Sequence, residues 1–138
     1  MSAPTAWTLL VAAAALHLGF QLTVSALVYP ALGDTHSAFE ASHVRHSRRI
    51  APLVGVVYAA LLAGTGCVVT ATSGGLRWVA VALTLAVLAL TGLGAVPLHR
   101  RLAHGFDVPT FRRLQVVDAL RTLAAGWLLA VAAFELLT

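Results

Sequence analysis

The 138-residue chain has no lysine, one cysteine and only five acidic residues, so just 10% of it is charged. A soluble globular domain carries about a quarter. A chain this short cannot close a soluble core around 59% hydrophobic residues, because small domains still expose much of their surface. The scarcity of charge therefore excludes an aqueous fold, and lipid is the solvent that fits. Cys67 has no partner for an internal disulfide and lies inside an apolar run, so it is silent on redox compartment. Walker and Rossmann glycine loops are both missing. No nucleophile motif surrounds Ser25, Ser42 or Ser47. The net charge of +4 comes from nine arginines. In a soluble chain such a balance points to nucleic acid. Here the arginines flank apolar runs, which reads as membrane topology and anionic headgroups and not as nucleic-acid binding.

Four apolar runs are present: Trp7 to Tyr29, Ile50 to Thr72, Trp78 to Pro97 and Val116 to Leu137. Each is long enough to cross about 30 Å of hydrocarbon, which takes roughly 20 residues. They predict one all-α domain over residues 1–138, an integral membrane four-helix bundle with the lipid bilayer as its partner. Trp7, Tyr29 and Trp78 sit at run ends, where amphipathic rings prefer the interface. The first run reads as a retained helix and not a cleaved leader, since it is long and no basic stretch precedes it. In the first loop, Ser37 to Arg49 has helical character, with Phe39 and Val44 as apolar contacts. It predicts a short amphipathic helix there. Pro109 is placed to open a helix that runs into the fourth span.

The loops differ in charge. Arg45, Arg48 and Arg49 lie in the first, Arg100, Arg101, Arg112 and Arg113 in the third, and only Arg77 in the second. With four spans, the first and third loops share a side. The positive-inside rule makes that side cytoplasmic and puts both termini outside. The Ala, Val, Leu and Arg-rich composition suits a bacterial plasma membrane.

Polar groups inside spans are costly, and each needs a partner or a purpose. His17, Gln21 and Ser25 recur at four-residue spacing, which puts them on one face of the first helix. They serve either as interhelical glue or as a buried ligand or proton site. His43 and His46, at i and i+3, either meet one metal ion or touch headgroup phosphates. His99 follows the third span. Asp118 and Arg121 stand three apart in the fourth and can neutralise each other. Taken together, His43, His46, His99, Asp118, Arg121 and Arg48 are placed to line one cavity at the arginine-rich end, with His17 deeper. His36 and His104 fall mid-loop and read as solvated. Gly19, Gly55, Gly64, Gly66, Gly92 and Gly94 read as close-packing positions within spans.

As chemistry, His17, His43, His46 and His99 form a candidate metal set for copper, zinc or iron, or two of them a haem-binding pair. An imidazole also serves as a general base without any metal, and an arginine beside it can stabilise a phenolate. His99, Asp118, Arg121 and Arg48 are the catalytic candidates.

Several short motifs resemble a family of small four-span membrane proteins that includes the anthrone oxygenases. They are Leu18-Gly19-Phe20, Tyr29-Pro30-Ala31-Leu32, Pro52 opening the second span, Pro97-Leu98-His99-Arg100-Arg101-Leu102 and Asp118-Ala119-Leu120-Arg121-Thr122. Here His99 stands at the family's polar position and Asp118 replaces an Asn. The resemblance implies an oxygenase or oxidase acting on a lipophilic aromatic molecule, with His99 and Arg121 in its active site. The resulting expectation is a membrane oxidoreductase for a lipophilic, aromatic or quinone-like substrate. The alternative is a non-enzymatic carrier, a metal- or proton-coupled transporter subunit or an accessory protein, and the transporter version requires a homo-oligomer.

Overall fold

A computed structural model describes residues 1–33 and 38–138. Four helices are long and apolar enough to cross a membrane: α1 (Ala3–Leu32), α2 (Phe39–Ala71), α3 (Leu76–Leu102) and α4 (Val108–Leu137). Together they make a multi-pass, all-helical bundle among the described residues. His36, expected to be solvated, falls outside them. The expected apolar runs coincide with these helices except for Thr72, which caps the end of α2, and α2, α3 and α4 extend further at the arginine-rich end.

The helix starts follow local chemistry. Ser2 caps α1 by accepting from the Thr5 amide at 3.4 Å, with Pro4 in the first turn. Asp107 caps α4 by accepting from the Thr110 amide at 3.0 Å, and Pro109 fills the first turn as expected. Such caps satisfy amides that have no carbonyl partner within the helix. Before α4 the chain turns at Gly105, whose φ of 150° disfavours any residue with a side chain.

The amphipathic segment expected ahead of the second span is helical from Phe39 onward, but it is continuous with α2 and not a separate element. Nothing between Phe39 and Ile50 breaks a helix. One face of this turn buries Phe39 and His43, while Arg45, Arg48 and Arg49 remain exposed. Pro52 does not open the span but lies within the helix. Membrane helices tolerate an internal proline because neighbouring groups can take up the freed carbonyl.

Two apolar layers enclose a polar middle. At the termini end, Leu10, Leu61, Val68, Val87 and Leu128 are wholly buried. At the arginine-rich end, Tyr29, Phe39, Leu102, Phe111 and Leu114 pack together. The outer surface is apolar too, with Leu93 83% and Leu27 66% exposed, as a lipid-facing surface requires. Trp78 stays exposed at a helix end, with the Arg77 guanidinium 5.0 Å over its ring. Trp7 and Tyr29, also expected at the interface, turn inward and are buried. Of the glycines read as packing positions, only two sit at close contacts. A Cβ on Gly64 would stand 3.1 Å from the Leu10 Cα, and one on Gly94 would stand 2.9 Å from a Val117 methyl. Gly19, Gly55, Gly66 and Gly92 have open space instead.

α1 and α3 each contain a widened, π-type turn, at Val24–Val28 and Leu90–Ala95 respectively. Such turns often occur at functional sites. Both border the site described next.

Candidate functional site

The polar middle is built around Asp118, which is 1% exposed. Its carboxylate accepts hydrogen bonds from the Gln21 amide and the Ser25 hydroxyl of α1. The Tyr29 hydroxyl approaches it at 3.4 Å, and Arg121 Nη1 pairs with it at 3.2 Å. Arg121 Nη2 donates to Gln21 Oε1 at 3.0 Å and to the Tyr58 hydroxyl of α2 at 3.2 Å. Tyr58 in turn meets the Thr91 hydroxyl in the widened turn of α3. One ion pair thus ties all four helices. An isolated charge in this layer would be strongly disfavoured, so each group is held by several partners.

On α1, Gln21 and Ser25 lie on one face, as their spacing predicts. Tyr29 continues the same series, although its place at a run end reads as an interface anchor. Four residues overshoot a 3.6-residue turn. The widened turn at Val24–Val28 offsets that drift and keeps Tyr29 on the stripe.

His17, one turn deeper, is 0% exposed and meets the Tyr58 ring edge-on at 5.1 Å. Neither of its ring nitrogens has a partner.

Beside this network, toward the arginine-rich end, is a cavity of about 440 Å³ between α1, α2 and α3. Its apolar walls include Phe20, Val24, Ile50, Val54 and Ala95. Its polar lining includes Gln21, Tyr29, His43, His46, Thr91, His99 and Arg121, with Ser47, Arg48 and Arg100 toward the exterior. Five of the six residues expected to share a cavity therefore do. Asp118 instead lies behind the wall, bonded to Gln21 and Arg121. His104 is exposed in the loop after α3, away from this cavity.

His43 and His99 form the most distinctive feature. His43 Nε2 and His99 Nδ1 are 3.0 Å apart, a hydrogen bond with one ring as donor and the other as acceptor. The rings stack with centroids 5.2 Å apart. Phe39 also stacks on His43, at 5.4 Å, and Phe106 and Phe111 pack around Phe39. His43 is thereby only 2% exposed and held in orientation, with its Nδ1 unpartnered.

The candidate ligands His17, His43, His46 and His99 are not brought together as one metal-binding set among the described residues. Among the described residues no three His, Cys, Asp or Glu side chains come together as ligands. His43 and His99 direct nitrogens at each other, and His17 contacts Tyr58 on the far side of the ion-pair network. What the arrangement offers is paired imidazoles at an apolar cavity, with fixed amide and guanidinium donors at its inner wall.

No family model matches this chain, and no curated protein or solved structure matches it either.

Proposed function

We propose that this protein is a membrane oxidoreductase, and that its cavity admits a lipophilic hydroxy-aromatic or quinone-like molecule from the bilayer. The observation that carries this reading is the stacked, hydrogen-bonded His43–His99 pair opening on an apolar cavity of about 440 Å³. That volume lies within the range of small-molecule sites. Apolar walls take the rings of such a substrate, and the imidazoles face its hydroxyl. A neutral imidazole can accept the proton of a hydroxyl held against it, and its hydrogen-bonded neighbour can relay that proton.

Deprotonation turns an electron-rich phenol or hydroquinone into the form that gives up electrons readily. Dioxygen is the acceptor in the metal-free scheme. A hydroquinone loses two protons and two electrons to become a quinone, and dioxygen gains them to leave as hydrogen peroxide. Gln21 and Arg121, held by the Asp118 network, supply donors to developing oxygen charge at the inner wall. The motif-level resemblance to the four-span group that includes the anthrone oxygenases agrees in reaction class. The arginine-rich end, which carries the cavity, faces the cytoplasm in this scheme.

The test is oxygen uptake by the protein in lipid nanodiscs, supplied with anthrone and with a naphthohydroquinone, together with metal content. Catalysed uptake by metal-free protein is expected, lost in His43→Ala and His99→Ala and kept in His104→Ala, the exposed loop control. Uptake retained in folded His43→Ala and His99→Ala would overturn the proposal. Binding of both compounds with no turnover would favour the carrier.

A further inference from the structure

At the cavity mouth stand two arginines that form no ion pair among the described residues. Arg48 from α2 and Arg100 from α3 both line the cavity and both are exposed, so they mark where it opens. Among the described residues no aspartate or glutamate lines it. The one ion pair among the described residues is Arg121–Asp118, which is internally neutral and lies behind the inner wall. Glu40, the nearest acidic group on α2, faces a separate outer recess with Arg45 and Arg49, and Arg48 forms the shared wall. Two lining residues also hold polar atoms without a partner, Arg121 Nε and His43 Nδ1.

We infer that the cavity is built for a lipophilic anion, with its acidic group met by Arg48 and Arg100 at the mouth and its apolar body held between α1, α2 and α3. The inference rests on the functional reading above and deepens it: among such aromatic molecules, the mouth favours those that also carry an acidic group. A guanidinium fork matches a carboxylate in two-point geometry, which a lysine would not. Two such groups beside low-dielectric walls concentrate anions at the opening. An exposed ion pair contributes little in water. Against the apolar walls, a charge-assisted bond contributes enough to discriminate an acid from its ester.

The same chemistry is available from a free lipophilic acid or from an anionic lipid headgroup, and one binding experiment separates them. The affinities of 2-naphthoate and its methyl ester are measured for the protein in phosphatidylcholine nanodiscs. The acid is expected to bind roughly tenfold or more tightly than the ester. In the Arg48→Gln/Arg100→Gln variant that preference should collapse, while unchanged ester affinity shows the cavity intact. Equal binding of acid and ester, or a preference that survives in the variant, would overturn the inference. In nanodiscs containing phosphatidylglycerol, a fall in acid affinity beyond that of the variant identifies the headgroup as the occupant. No such fall identifies the free acid. Both outcomes keep the anion site. Because the readout is binding, the inference can fail while oxidation is seen, or stand while it is not.

Discussion

At the scale of single residues, Asp118 and Arg121 organise the interior, and each is tolerable only because of the other. Asp118→Leu leaves the Arg121 guanidinium buried without its counter-charge, and Arg121→Met does the same to the carboxylate. Each single change is expected to cost about 3–5 kcal/mol, whereas replacing a whole buried pair by apolar residues is often near neutral. The Asp118→Leu/Arg121→Met double variant should therefore be more stable than either single one, read by denaturant unfolding in mild detergent. Additive losses would contradict the account. Much of this was legible from spacing. Three residues on a helix place Asp118 beside Arg121, and four-residue steps place Gln21 and Ser25 on one face. Their meeting across α1 and α4 was not legible, nor was the contact of His43 with His99. Those contacts join residues about a hundred and 56 positions apart in the chain, and no local period encodes them.

At the scale of helices, small residues and caps set the packing. Gly64 lets α1 and α2 approach until its Cα–H faces the Leu10 backbone. Gly64→Ala should push the helices apart and cost about 1–3 kcal/mol, as overpacking does. Gly66→Ala meets nothing within 4 Å and should be neutral or stabilising. Equal effects of the two on thermal unfolding would contradict the assigned contact. The sequence presents these glycines as equivalent, because it shows that a residue is small but not which helix face meets a neighbour.

At the start of α4, the exposed Asp107 carboxyl is held below its ordinary pKa, chiefly because it accepts hydrogen bonds from Thr110. A depressed carboxylate stabilises above its unfolded pKa, and the contribution is lost as pH falls through the folded value. Protection of the first α4 amides from hydrogen exchange should therefore weaken below about pH 4. In Asp107→Asn, which keeps a capping oxygen but does not titrate there, that dependence should vanish.

At the scale of the whole molecule, the apolar runs determine four crossings, and the seven arginines at one end determine the orientation proposed here. A C-terminal alkaline phosphatase fusion in a bacterial host should be active and a C-terminal green fluorescent protein fusion dark, since the C-terminus is placed outside. The reverse pattern would invert the bundle and move the cavity to the other face. The central claim is that this cavity deprotonates a hydroxy-aromatic through His43 and His99. It is tested most directly by the absorption spectrum of 2-naphthol bound to the protein in nanodiscs, at a pH where the free compound stays protonated. The account predicts a naphtholate band that is lost in His43→Ala and in His99→Ala while binding persists. A bound naphthol that stays protonated in the unaltered protein, or a naphtholate band that survives in both variants, would contradict it.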